Sequence, residues 1–429
     1  MKRTIGIVGG GAAGMTAAIL AARNGAYVTL LDGNDRVGKK LLSTGNGKCN
    51  LGNTDLSPER YGTRNPERLK TWLEQFDTQS TIDFFRALGL LTKEKNGGLY
   101  PVSEQASSVL DVFRFELERE ERIRVRTACR VDRIRRDEER NRILLWSGGE
   151  VLAFDRVILA CGGRAAPKTG SDGSGYRLAE MLGHSLVPVV PALVQLRCRE
   201  DWFKSVAGVR ADTEIWLEDK KAGRIRERGE LQLVDYGISG IPVFQLSGRI
   251  NYILREKKEA ALKIDFLPDF KGRTEDFTER LIRERVPVEE CGTVEEYFTG
   301  ILNKKLMMLL IKLAGLKPSE PASKADPQKI RRVYELCREL TVHVTGSNSF
   351  EHAQVCAGGV PLDELTECLE SQKAPGVFFA GEILDVDGRC GGYNLQWAWC
   401  SGYLAGVFAA ESVRRSSNTR GRGRFVKNF

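Results

Sequence analysis

Residues 4–32 read TIGIVGGGAAGMTAAILAARNGAYVTLLD, and the order of their parts decides the fold. Ile5, Ile7 and Val8 make a short β-branched apolar run, which predicts a buried strand. The run stops at Gly9-Gly10-Gly11-Ala12-Ala13-Gly14, which satisfies G-x-G-x-x-G at Gly9, Gly11 and Gly14. Good helix formers fill residues 15–24, and Gly25 stands where a C-cap glycine belongs. Residues 27–31 form a second strand ending in an acid, Asp32, 18 residues after Gly14.

Each part has a physical task. Gly9 permits the tight turn, Gly11 lets backbone approach a pyrophosphate, and Gly14 lets helix and strand pack closely. The helix N-terminus offers unpaired N–H groups and the positive end of its dipole to the phosphates. Asp32 stands where an acid accepts from an adenosine ribose. A bare GxGxxG describes any glycine-rich turn; strand, helix, strand and acid in sequence select dinucleotide binding.

The chain has 429 residues, 41% apolar and 28% charged, and carries a net charge of +8. At about 150 residues per domain, that length predicts two or three domains. No apolar run reaches the roughly 18 residues that a membrane helix needs. The N-terminus runs straight into the first strand, leaving no room for a signal peptide, so a cytoplasmic location is expected. Ten cysteines without a C-x-x-C pair, and only three histidines, predict neither a metal site nor a redox disulfide. Much of the excess positive charge lies between Arg414 and Arg424, a glycine-spaced stretch expected to be a disordered, solvated tail. Without it the body is near neutral, which argues against a nucleic-acid groove.

Beyond Asp32, residues 36–53 are rich in glycine, asparagine and lysine, including Lys39, Lys40 and Lys48. Such a stretch is expected to be irregular, with backbone N–H groups free to grip a cofactor. A helix is expected over 66–90, with Trp72, Phe76, Phe84, Phe85 and Leu88 in the core, and another over 106–118. Strands are expected over 123–131 and, as a hairpin about Ser147-Gly148-Gly149-Glu150, over 142–152. The apolar run ending at Ala160-Cys161-Gly162-Gly163 brings backbone to a ligand a second time. From Pro188 the pattern shifts to short alternating runs, which predict an antiparallel sheet or small barrel, with a helix over 243–249. Residues 269–316 are expected to be helical, packing Leu302, Leu306, Leu309, Leu310 and Leu313 into a core. A strand ending at Gly381, a glycine turn and a helix from about Asn394 make a second helix N-terminus suited to an anion or carbonyl oxygen.

Five blocks then carry a resemblance over nearly the whole chain: STGNGKCNLGN (43–53), GGLYPVSEQASSV (97–109), GGRAAPKTGSDGSGY (162–176), YGISGIP (236–242) and FAGEILDVDGRCGGYNLQWAWCSGYLAG (379–406). The chain resembles the BaiN-like (YhiN-like) family of NAD(P)/FAD-dependent oxidoreductases, which includes aminoacetone oxidase-type flavoproteins. The resemblance implies an α/β fold: a discontinuous Rossmann-like FAD-binding domain (1–190 and 350–412), an inserted β-rich barrel-like domain (191–268 and 328–349), a helical subdomain (269–327) and the basic tail (413–429). It implies FAD contacts at Gly9, Gly11, Ala12, Ala13 and Gly14 for the pyrophosphate and at Asp32 for the ribose. Lys39, Lys40, Thr44, Gly45, Asn46, Gly47 and Cys49 would also touch the cofactor. The Val131 backbone would approach the adenine, and Ala160, Cys161 and Gly162 the adenosine half. Gly381, Glu382, Asp387, Gly391, Gly392, Tyr393, Asn394 and Leu395 would cover the flavin half. Family members carry an Ala-Thr-Gly-Gly type of sequence where Cys161 stands and a threonine near Cys356 and Cys390, departures that bear on flavin tuning.

The implied activity is reduction of a small organic substrate with an activated C=C bond, an enone or steroid-like molecule, with NAD(P)H as a transient donor. Hydride would pass from flavin N5 to the β-carbon while an acid protonates the α-carbon. Tyr393, Tyr100, His352, His343, Cys49 and Cys390 are the candidates for catalytic groups, each with a plainer structural role as its alternative. No second GxGxxG lies between Pro188 and Phe350, so a nicotinamide cofactor would dock only transiently. The rival enzyme reading is an aminoacetone-type amine oxidase using O2. An RNA-associated flavoprotein held by the tail and a plain flavin carrier are the non-enzymatic rivals.

Overall fold

In a computed structural model that describes residues 3–219, 223–270, 272–284 and 287–411, the N-terminal apolar run is a strand, β1 (Thr4–Val8). It leads into the helix α1 (Ala12–Arg23) and a second strand, β2 (Tyr27–Leu31). Three more strands, β3 (Ile123–Arg126), β4 (Arg156–Leu159) and β5 (Val377–Phe379), complete a sheet in the order β5-β4-β1-β2-β3. All pairings are parallel, with Ile7 opposite both Ile158 and Leu30. A parallel sheet must be covered on both faces. On one face α1 is buried along residues 13–22, which explains its alanine-rich, hardly amphipathic sequence. It packs on a second helix, α2 (Tyr393–Ala410). Their backbones approach closely because a Cβ on Gly402 or Gly406 would lie 2.5 or 2.6 Å from the Ala13 or Ala17 carbonyl oxygen. On the other face an antiparallel meander (133–137, 142–147 and 150–154) presses Phe154 onto Gly6. These residues belong to one compact unit, residues up to Val190 and from Gln354 onward.

The other unit, Pro191–Ala353, is built on a closed six-stranded barrel. Around it run Leu196–Cys198, Gly237–Gly240, Gly223–Val234, Arg210–Asp219, Ala260–Asp265 and Leu340–Ser347, all antiparallel. The helices Lys304–Leu313 and Pro327–Arg338 share one hydrophobic core with the barrel, through Leu306, Leu310, Val333 and Tyr334. The fold is therefore α/β, with a Rossmann-like domain and an inserted barrel with helices.

Several sequence expectations are corrected in detail. The helix expected over 66–90 is two, Pro66–Gln75 and Thr78–Ala87, because Asp77 caps the second by accepting from the Ser80 amide at 2.8 Å. Trp72, Phe76, Phe84 and Phe85 are buried as expected, while Leu88 is only half-buried. The strand from Ile123 ends at Arg126, where the chain turns back so that the Cys129 amide donates to the Asp32 carbonyl at 2.8 Å. The helix expected over 243–249 runs from Ile241 to Glu256, with Pro242 in the first turn, where a missing N–H costs nothing. Of the leucine stripe, Leu306, Leu309 and Leu310 are buried; Leu302 precedes the helix cap, and Leu313, in the last turn, is 42% exposed. The tail expected over 413–429 lies outside the described residues. Among the described residues no helix is long and apolar enough to cross a membrane.

Candidate functional site

The C-terminal ends of β1, β2 and β4 open onto a cleft of about 260 Å3 in the Rossmann unit. Its floor is the glycine turn, and the three motif glycines serve different ends. Gly9 has φ +107, and a Cβ there would lie 2.4 Å from the Ala160 carbonyl oxygen. A Cβ on Gly14 would lie 1.8 Å from the Gly9 oxygen. Gly11 differs: its φ of −82 suits any residue, and nothing lies within 4 Å of a Cβ built on it. Neither the backbone nor the packing demands glycine at Gly11, and its open side faces the cleft. The N-terminus of α1 has no side-chain cap, so its first-turn amides remain for a ligand. This geometry fits a pyrophosphate.

Asp32 lines the same cleft with its carboxylate already engaged. Oδ2 accepts from the Gly10 amide at 2.7 Å, and Oδ1 accepts from the Asn34 amide at 2.7 Å and its side chain at 3.0 Å. Asp32 thus fastens the glycine turn to the end of β2, and a second lone pair on Oδ2 is left for a hydroxyl.

Of the expected contacts, Gly9, Gly11, Ala12, Ala13, Asp32, Lys39, Lys40, Thr44, Val131, Ala160, Cys161, Gly162, Gly381, Glu382, Asn394 and Leu395 all line this cleft. Lys39 is paired with Asp35 at 2.6 Å. Lys40 Nζ lies 2.7 Å from Glu382 Oε2, while Glu382 Oε1 accepts from the Cys356 amide at 2.8 Å. Gly14, Gly45, Asn46, Gly47, Cys49, Asp387, Gly391, Gly392 and Tyr393 do not line it. Gly14 is consumed by helix–strand packing. A Cβ on Gly392 would lie 2.5 Å from both the Asn50 side-chain amide and the Gly52 oxygen, so this glycine serves chain packing too. The stretch expected to be irregular winds into 3-10 turns over Lys40–Gly47, broken by left-handed Gly45 and Asn46. Sequence reasoning missed Asn34, Arg130, Ser171, Gln354, Val355 and Trp397 in the lining. Ser171 follows a glycine turn and was legible; Gln354 and Val355 carry no local signal.

The catalytic candidates fare differently. Cys49 is fully buried, and burial pushes its thiol up to about 12 against a weaker opposing hydrogen bond from Thr44, so it is no thiolate. Tyr393 is buried edge-on against Tyr61, ring centroids 5.6 Å apart. Tyr100 and half-buried Cys390 do not line the cleft. His343 and His352 belong to the barrel unit, where His343 Nδ1 is 2.8 Å from Glu200 Oε1 and His352 is exposed. Near the start of α2, burial, then Asp385 and Glu382, push the Asp387 carboxyl up to about 8.

With this geometry in place, comparison with known proteins places the chain. The profile of the HI0933-like protein Rossmann domain matches residues 3–408. The chain belongs to the HI0933-like Rossmann family. A relative within reach of this family member is the 3-dehydro-bile acid delta(4,6)-reductase of Clostridium scindens, 43% identical over 410 residues, 95% of this chain and 99% of that protein. The ribosomal RNA dihydrouridine synthase of Escherichia coli is 28% identical over 95% of this chain and 98% of its own. The HI0933-like chain also has the fold of a 3-ketosteroid delta1-dehydrogenase from Sterolibacterium denitrificans, with a TM-score of 0.50 at 12% identity over 95% of this chain and 100% of that one.

Proposed function

We propose that this chain is an FAD-dependent oxidoreductase that reduces a C=C bond conjugated to a carbonyl in a steroid-like small molecule, with electrons from NAD(P)H. The observation that carries this reading is the 43% identity to a 3-dehydro-bile acid delta(4,6)-reductase along 95% of the chain, barrel as well as cleft. The cleft supports the cofactor. Gly11 and the first-turn amides of α1 would take the pyrophosphate, Asp32 the ribose, Val131 the adenine, and Thr44, Asn394 and Leu395 the flavin end. FAD, when bound, supplies hydride transfer at flavin N5. The chain's own part is to hold the dinucleotide extended, to orient the acceptor and to exclude water.

A second reading has support from the Escherichia coli and Haemophilus influenzae relatives, both ribosomal RNA dihydrouridine synthases, 28% identical to this chain. Dihydrouridine is uridine with its ring double bond, conjugated to a carbonyl, reduced. Both readings therefore ask for the same bond change and differ in what carries the bond. The test is an anaerobic titration of the flavoprotein with NADH and then NADPH, followed by a 3-oxo-4-ene steroid acid. The expected result is bleaching by one nucleotide and re-oxidation by the enone. If neither nucleotide bleaches the flavin, the reductase reading fails as stated. Peroxide formed from aminoacetone and O2 would instead favour the amine oxidase.

A further inference from the structure

A second recess, about 250 Å3, lies in the Rossmann unit and is lined by Lys48, Asn50, Asn53, Lys95, Asn96 and Tyr100, with Glu104 and Gly391. The recess and the cleft have no lining residue in common, but two stretches of chain supply both. The Lys40–Gly47 turn contributes Thr44 to the cleft and runs directly into Lys48 and Asn50 of the recess. The segment after Gly388 gives Gly391 to the recess and Asn394 and Leu395 to the cleft. Asn53 Nδ2 donates to the Gly391 carbonyl at 3.0 Å, which clips the two walls together. The recess is therefore linked by short stretches of chain to Thr44, Asn394 and Leu395 of the cleft.

Its charge is unbalanced. Glu104 is the one carboxylate in the lining, and Lys93 at 2.7 Å and Lys48 at 3.3 Å both reach it. Those two lysines hold its carboxyl down at about 2, so it stays ionised and spent. Lys95 makes no ion pair among the described residues, and Glu94 beside it is turned to the Gly97 amide. The rest of the lining is amide and hydroxyl. With the Asn50 nitrogen facing the Gly52 and Leu99 carbonyls at 2.7 and 3.1 Å, its oxygen accepts from the Tyr100 hydroxyl at 3.2 Å. Net positive charge in a concave, donor-rich recess attracts an anion.

We propose that this recess is an anion-binding subsite, built around Lys95 with Lys48 and Asn96, that seats the carboxylate or phosphate of the substrate while its double bond lies in the cleft by Thr44, Asn394 and Leu395. The proposal rests on the reductase reading for the double bond alone; the anion preference stands on the recess.

The test is equilibrium binding to the intact flavoprotein, followed by flavin difference absorbance. The ligands are 3-oxo-4-cholenoic acid and its methyl ester, and uridine 5′-monophosphate and uridine. A preference of roughly 3- to 10-fold for the anion over its neutral partner is expected at low salt. It should disappear at about 0.5 M NaCl and in Lys95→Glu. Preference within the steroid pair assigns a carboxylate, and within the nucleoside pair a phosphate. Equal affinity within both pairs, no binding of any ligand, or a preference that survives Lys95→Glu combined with Lys48→Ala overturns the subsite. An anion preference without re-oxidation of reduced flavin by the enone would retire the reductase reading and keep the subsite. Re-oxidation without the preference would do the reverse.

Discussion

Lys40 and Glu382 meet at 2.7 Å across 342 positions of sequence and join the 3-10 turn on one side of the cleft to the end of β5 on the other. Neither side chain is more than 25% exposed, and Glu382 also accepts from the Cys356 amide. Removing the lysine leaves a half-buried carboxylate without its cation. Lys40→Ala is expected to weaken FAD retention several-fold and to lower stability by about 1 kcal/mol. Flavin content after extended dialysis, with a thermal melt of the same sample, checks both. An unchanged flavin content would show that the pair does not shape the cofactor cleft.

The motif glycines should separate folding from binding. Gly14→Ala forces a Cβ against the Gly9 carbonyl oxygen, which is backbone and cannot yield. That variant is expected to be poorly folded. Gly11→Ala meets nothing within 4 Å and keeps an allowed φ. It should melt within about 1 kcal/mol of the parent yet lose bound flavin by tenfold or more. A Gly11→Ala protein that is yellow and fully loaded would falsify the placement of the pyrophosphate.

Asp387 sets an alkaline limit. Its carboxyl is raised to about 8, with Asp385 and Glu382 adding to burial. A folded-state pKa raised above the unfolded value near about 3.9 means that its stabilising contribution is complete below that value and is lost as pH rises through about 8. Melting temperature should therefore decline from pH 6 to pH 9 in the parent and decline less in Asp387→Asn. Parallel curves for the two proteins would remove Asp387 as the cause.

His184 makes a buried clamp with opposite pH behaviour. Its Nδ1 is 2.7 Å from Glu364 Oε2 and its Nε2 2.7 Å from Ser371 Oγ. The array has the look of a hydrolytic triad, but Ser371 is 2% exposed and its Oγ accepts from the Ala374 amide at 2.8 Å. Burial lowers the pKa of His184 despite the opposing pull of Glu364. A base whose folded pKa lies below its unfolded value loses stability as pH falls below about 6.5. Glu364, held at about 2 by Lys373, Ser185 and His184 against the cost of burial, adds a second loss below about 4.3. Melts from pH 7 to pH 5 should show a smaller acid slope in His184→Gln than in the parent.

Cys49 should be silent. Its buried thiol, pushed up to about 12, is expected to resist alkylation at pH 8, and Cys49→Ala to retain flavin reduction. Rapid labelling of Cys49 in the folded protein, followed by loss of turnover, would restore it as a catalytic thiol.

The amino-acid sequence by itself determined the Rossmann start, the dinucleotide turn and the change to short antiparallel strands, because these rest on short-range rules. A strand alternates or stays apolar, a helix needs its formers, and a left-handed turn needs glycine, all within a few residues. The cleft's glycine turn and Asp32 were legible for that reason, as were the glycine turns that return at Gly162 and Gly381. The tertiary structure adds the partners of the motif glycines: a Cβ on Gly14 would meet the Gly9 oxygen, whereas Gly11 lies in the open. It also decided that Lys40 faces Glu382, that Gln354 and Val355 reach the cleft, and that Cys49 is buried. Electrostatic and steric partners are set by distance in space, and no local periodicity encodes a neighbour some three hundred residues away.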